Sequence, residues 1–357
     1  MFTEYGLYSF ISNNFKNFNE SFTAITSFST LMQVIVKESI FYYYLKTAKR
    51  ILDVIFYKFW PSNLVGREVE SSLNRYYHIL LIGMMSIYFH GSIFSITCIL
   101  IPLFKETRET PYKTVYPFEY SSSPKFEIMY LMQSFINFYV ILGVIIGVDC
   151  LFMATCYNII AQFRLLKGVV LKLGTNEVKE INSKLTILSS ESDNIGRNVT
   201  EEKEFLIRCI KHHQLLLRTT EDIETVYSVI GLFQLGFSII AICMSSFVVT
   251  TGEIEYVQLV NISIFISGHI VQLFCYCSVA NEISFEMDNL SQHIFSSYWY
   301  QTDFVNIKQD ILVIMKKSQE VKRITALKLV PLNYDTFIQV LRISFSFHTL
   351  LSNITVK

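Results

Sequence analysis

Residues 331–354 read PLNYDTFIQVLRISFSFHTLLSNI. Asn333 suits a helix N-cap, with Pro331 just outside it. About 21 residues follow without Gly or Pro, and at ~1.5 Å rise per residue they cover ~30 Å, the thickness of a bilayer core. On a helical wheel one face collects Asp335, Gln339, Arg342, Ser346, Thr349 and Asn353, with Leu350 and Ile354 at its outer end. The opposite face collects Phe337, Val340, Leu341, Phe345, Phe347 and Leu351. Polar groups at membrane depth are expensive unless paired or wet, so the stripe must face either a protein interior or water. The pattern alone leaves both open: a bundle-facing helix or a pore lining.

The rest of the chain is built from similar lengths. Of 357 residues, 51% are hydrophobic and 17% are charged. Soluble domains carry about 25% charge, and the apolar excess here falls in long runs, so the composition expects a polytopic, all-α membrane protein. Lys+Arg equals Asp+Glu at 30 each, which points to no nucleic-acid partner. The seven Cys sit mostly in or beside apolar runs and read as small hydrophobes, and Cys275-x-Cys277 is no zinc spacing.

Six spans are expected: 22–45, 76–104, 127–156 with Asp149 inside it, 227–249, 256–280 and the closing helix. Residues 46–75 read as a charged linker, and 105–126 as a loop excluded from helix by Pro111, Pro117 and Pro124. Residues 161–220 read as a long charged connection, helical at 161–173 and 201–220. In 281–330, Ile283, Met287, Leu290, Ile294 and Ser297 share one helix face, and Ile307, Ile311, Ile314 and Met315 share another. Such faces need partners, so a packed cytosolic helical layer is expected there.

Charge orients the spans. Segments 46–75, 161–220 and 281–330 hold 6, 10 and 6 Lys and Arg, whereas the other side holds 6 in all. Positive charge favours the cytoplasmic side, which places the C-terminus outside. That orientation argues against a G-protein-coupled receptor. No internal repeat or broken span suggests a transporter. No nucleophile elbow, paired-His zinc motif or Gly-rich phosphate loop suggests an enzyme, and no cofactor is expected.

Three blocks then carry a resemblance: QLFCYCSVANEISFEMDNLSQHIFSSYWY (272–300), DILVIMKKSQEVKRITALKLVPLNYDTF (310–337) and IQVLRISFSFHTLL (338–351). Upstream, YPFEYSSSPKFEIMYLMQS (116–134) followed by Asp149 adds to them. Together they resemble the insect odorant receptors, specifically an odorant-tuning subunit. The resemblance implies a seven-helix fold with the C-terminus extracellular. It implies a ligand-gated, non-selective cation channel in the plasma membrane of sensory neurons, a heterotetramer formed with the odorant receptor coreceptor and opened by a small volatile odorant. A homomeric gustatory-type channel, or a non-functional truncated receptor, is the alternative.

The resemblance divides the chain into 1–20, a remnant of a first helix that is otherwise missing; 21–160, an outer ligand-binding bundle; 161–280, a cytosolic loop and two spans; 281–330, a cytosolic anchor layer; and 331–357, the pore helix. Met287 and Phe295 depart from the family's usual Ser and Tyr. Carried over by residue, Leu350 and Ile354 form the outer gate, and Gln339, Ser346, Thr349 and Asn353 line the pore. Helix position nominates Phe94, Cys98, Met132, Phe135, Ile136 and Phe237 for the odorant pocket. Asp149 is expected to hydrogen-bond between helices.

Overall fold

The structure, a computed structural model, describes residues 2–14, 18–104, 108–188, 200–251, 256–301, 305–320 and 322–355. It is helical almost throughout. In chain order come α1 (Phe2–Asn13), α2 (Phe18–Tyr43), α3 (Leu45–Tyr57) and α4 (Arg67–Leu100). Next are α5 (Lys125–Phe138), α6 (Ile146–Val170), α7 (Val178–Leu188) and α8 (Glu201–Thr251). Then follow α9 (Tyr256–Phe295), α10 (Val305–Ser318), a two-residue ribbon β1 (Thr325–Ala326) and β2 (Val330–Pro331), and α11 (Tyr334–Thr355).

Among the described residues four stretches are long and apolar enough to cross a membrane: Arg67–Phe104, Lys125–Val170, Glu201–Thr250 and Tyr256–Phe295. The other two expected spans, α2 and α11, have the length, 26 and 22 residues, but mix polar side chains into it.

The long helices do not stop where the charges begin. α8 runs unbroken for 51 residues, about 76 Å at the α-helical rise, so the expected connection before 220 and the expected span after it are one rod. α6 and α9 likewise continue past the apolar run. The expected linker 46–75 is mostly helix, taken up by α3 and the first turns of α4, and α3 buries Ala48, Ile51 and Val54 at a three-residue spacing. Residues 178–188, within the expected loop, form α7.

These extensions pack into the anticipated polar-side layer. Ile283, Met287, Leu290, Ile294 and Ser297 are all buried, as are Ile307, Ile311 and Ile314. Ion pairs tie the layer together. Arg164 of α6 bonds Glu282 Oε1 at 2.6 Å and Glu286 Oε1 at 2.7 Å on α9, with its guanidinium 4.4 Å from the Tyr76 ring of α4. Lys167 pairs with the other Glu286 oxygen. Gln162 bonds both backbone groups of Trp60, at 3.0 and 2.8 Å, and its Oε1 also meets His212 Nε2 at 2.9 Å. The Trp60 and His212 rings stack 3.8 Å apart. Gly174 (φ +81) has no room for a side chain: a Cβ there would lie 2.3 Å from the Tyr298 carbonyl oxygen.

At the other end, Leu7 of α1 is fully buried in a smaller cluster with Ala24, Leu31, Val34 and Tyr112. Within the N-terminal segment 1–20, α1 is therefore a packed 12-residue helix. Between α5 and α6, residues Tyr139–Ile145 form a π-helical segment, a local overwidth that often marks a working site in a helix.

Candidate ligand cavity and pore-facing helix

α11 starts as the sequence dictates. Asn333 Oδ1 accepts the Thr336 amide at 2.9 Å, and the Thr336 hydroxyl donates to the Pro331 carbonyl at 2.6 Å. Val340 and Ser344 are buried against α8 and α9, and Phe337 packs on the same core. At the outer end His348 Nε2 lies 3.0 Å from Thr250 Oγ1 of α8. Gln339, Arg342, Ser346, Thr349, Leu350 and Asn353 are all exposed in the single chain. Ile354 is in the last turn of α11, and its side chain lies outside the described residues. Phe345 and Phe347, on the wheel's apolar half, are also half exposed, at 54% and 50%. The exposed face is thus a polar stripe with an apolar flank on each side.

A cavity of about 70 Å³ lies between α2, α4, the π segment and α9. That is several times the ~10–15 Å³ needed to admit a single water. Its apolar wall is Ile87, Phe94, Ile145, Ile146, Ile264 and Phe265. The Phe94 and Phe265 rings lie 4.9 Å apart, and His269 meets Phe265 edge-on at 4.6 Å. Its polar wall is Thr30, Gln33, His90, His269 and Gln272. Gly268 brings α9 close to α4: a Cβ there would sit 3.4 Å from His90 Cβ.

Gln272 connects the cavity to a buried charge pair. Its amide nitrogen donates to Asp149 Oδ2, while Lys37 Nζ and Tyr276 Oη each bond Asp149 Oδ1 at 2.6 Å. Lys37 and Asp149 are 1% and 0% exposed. Both charges are compensated by each other and by neutral donors, which is what lets them sit inside an apolar bundle. One turn from Lys37, Gln33 donates to Gln234 Oε1 at 2.5 Å, and Gln234 donates to Ser238 at 3.2 Å on the same α8.

Of the six nominated pocket residues, Phe94 lines this cavity. Cys98 is one turn outward, with its Sγ 4.0 Å from Asn261 Nδ2. Met132 is half buried on α5; Phe135 is 70% exposed and stacks on Tyr139 at 6.4 Å. Ile136 packs on the smaller cluster, and Phe237 stacks on Phe233 at 6.0 Å. The cavity's polar residues, Thr30, Gln33, His90, His269 and Gln272, are not among those six. Their signal was present: Gln33 and Lys37 are four apart, and His269, Gln272 and Tyr276 fall at three- and four-residue spacing within one span. An uncharged polar residue inside an apolar run is easily read as filler.

A bundle of membrane-length helices, with a cavity between them and a polar stripe left exposed on the last, is the architecture of a multi-pass membrane protein. The model of the "7tm Odorant receptor" family matches residues 17–345, and the chain belongs to that family. It is 23% identical over 292 residues to Odorant receptor 83a of Drosophila melanogaster, covering 72% of this chain and 63% of that receptor. It is 23% identical over 299 residues to Odorant receptor 10 of Aedes albopictus, covering 82% and 73% of the two chains. The chain spans less than two thirds of the length of the first of these relatives. The fold is that of the insect olfactory receptor OR5 from Machilis hrabei, solved with eugenol. The TM-score to it is 0.78 at 15% identity, with 94% of this chain and 82% of that one aligned.

Proposed function

We propose that this receptor is an odorant-tuning subunit of a ligand-gated cation channel, assembled with the odorant receptor coreceptor in the plasma membrane of olfactory sensory neurons. The supporting observation is the α11 stripe: Gln339, Ser346, Thr349, Leu350 and Asn353 are exposed in one chain, on a helix of bilayer length. Side-by-side assembly would turn that stripe toward a shared water-filled axis, and the apolar flanks toward neighbouring subunits. Hydroxyls and amides there pass hydrated cations without holding them. Leu350, with Ile354 one turn outward, supplies the apolar ring that closes by dewetting. The family kinship and the OR5 complex with eugenol support a volatile ligand for the cavity, with Phe94 in its wall. Cys98 is one turn from Phe94 on α4, and Cys98, Met132, Phe135, Ile136 and Phe237 remain candidates by helix position.

Coexpression with the coreceptor in oocytes tests this. A panel of volatiles should evoke inward current, and Leu350→Ala should raise the resting current several-fold by widening the apolar ring. Absence of current, with the chain demonstrably at the cell surface, overturns the reading. Current without the coreceptor would favour a homomeric channel.

A further inference from the structure

We infer that α8 sets the rotation of α11 through the ribbon between α10 and α11. Glu224 and Ser228 of α8 and Thr325 of the ribbon are then positioning residues for the polar stripe. The contacts stand on their own, while their consequence for current rests on the channel reading above.

On α8, Glu221, Glu224, Ser228 and Gly231 follow one another at spacings of three, four and three, so they share one face. Each meets the ribbon or a residue beside it. Glu221 pairs with Lys322. Glu224 Oε1 accepts the Thr325 hydroxyl at 2.5 Å. Ser228 Oγ accepts the Leu327 amide at 2.8 Å, and the Ser228 carbonyl oxygen shares that proton at 3.3 Å. At Gly231 a Cβ would lie 3.3 Å from Leu332 Cδ1, so the glycine leaves room for the residue that follows the ribbon.

These contacts differ in weight. The Lys322 and Glu221 side chains are 34% and 52% exposed, and such a pair adds little. Ser228 is buried, as are Ile324 and Ala326 on either side of Thr325. Thr325 uses its hydroxyl twice, donating to Glu224 and accepting the Lys328 amide at 3.1 Å. Leu327 and Lys328 both have left-handed backbone, φ 50 and 57, in a turn without glycine. Such a turn persists where its surroundings fix it, and the bonds to Glu224 and Ser228 do so here.

The ribbon is joined as closely to α11. Thr325 faces Pro331 and Ala326 faces Val330 across it. The Leu332 amide donates to the Ile324 carbonyl at 2.9 Å, and the Pro331 carbonyl accepts the Thr336 hydroxyl from the first turn of α11. Leu332 and Asn333 alone separate β2 from α11, so a shift of the ribbon is passed to the helix. The seam that α11 buries runs through Thr336, Val340 and Ser344 at four-residue steps. These are small side chains that make shallow knobs, and the ribbon supplies the register that they do not. A slip of one residue would turn α11 by ~100°, enough to carry Ser344 out of the seam.

The experiment uses the full chain coexpressed with the coreceptor. Ser344→Cys and Ser346→Cys are introduced singly and labelled with a small methanethiosulfonate reagent, the native cysteines giving the baseline. With the ribbon held, the exposed position should react at least about tenfold faster than the buried one. Adding Thr325→Val and Ser228→Ala removes two hydroxyls with little change in shape. The two rates should then come within about threefold of each other, since two lost hydrogen bonds are worth about tenfold in a local equilibrium. Glu224→Gln keeps an oxygen for Thr325 and should retain the difference. Inward current evoked by hexanol and eugenol should fall with the ratio, at matched surface expression. An unchanged ratio in the doubly substituted ribbon at normal surface expression overturns the positioning role and leaves the channel reading intact. A collapsed ratio with full current upholds the positioning role and removes the pore role of the stripe. Should the double substitution keep the chain from the surface, Thr325→Val and Ser228→Ala are read singly, each expected to lower the ratio about threefold. No change in either overturns the inference.

Discussion

Replacing Asp149 by Asn would strip the counter-charge from Lys37 while keeping the side chain's shape. Lys37 would then be a fully buried amine with neutral neighbours. Breaking one partner of a buried pair typically costs about 3–5 kcal/mol. The expected outcome is a large fall in folded receptor, read as surface expression or as the thermal midpoint in detergent. Lys37→Met with Asp149→Leu should recover much of the loss, because removing both charges also removes their desolvation. If the double variant is no better than Asp149→Asn alone, the pair is not what matters there. The sequence leads to the expectation of an inter-helix hydrogen bond at Asp149, since a carboxyl in an apolar span needs a partner. Its partners are invisible from the sequence, because Lys37, Gln272 and Tyr276 lie 112, 123 and 127 residues away and nothing local joins them.

At the scale of one element, α11 makes a two-sided prediction. Ser344 is fully buried, with its hydroxyl on the Val340 carbonyl at 2.8 Å, whereas Ser346 two residues on is exposed. Ser344→Leu would overfill the seam with α8 and α9 and should cost about 1–3 kcal/mol. Ser346→Leu should change stability by less than about 0.5 kcal/mol and alter single-channel conductance instead. Thermal shift and conductance, measured on both variants, read the two faces separately, and matching effects would sink the assignment. The Asn333 cap and the polar stripe are legible in the sequence because they follow the helical period. The ribbon at 325–331 is not: its strands have two residues each, too few to alternate. Its turn places Leu327 and Lys328 at φ 50 and 57, without the Gly or Asn that normally announces such a turn. The π segment has no sequence signature at all.

For the whole molecule, orientation is the property most open to direct test. An epitope appended after Lys357 should be labelled on intact cells, and one inserted at the exposed Leu327 turn only after permeabilisation. The reverse pattern would invert the whole arrangement. The number of long helices and the polar-side layer are legible because hydropathy and amphipathic spacing are local properties. The continuity of α8 and of α9 is not, because charge density marks where a helix leaves lipid rather than where it ends. The cavity is legible least of all. It is bounded by four separate segments, and only their packing brings Gln33, His90 and His269 to one wall.

The Lys37–Asp149 pair also sets a timetable. The chain is made from its N-terminus, and 112 residues separate the amine from its carboxylate. At ~5–20 residues per second that is a wait of roughly 6–22 s. Throughout it α2 carries an ammonium with no counter-ion, which a long side chain handles by reaching to the lipid headgroups. The charged joint between α2 and α6 therefore closes only once both helices have been made.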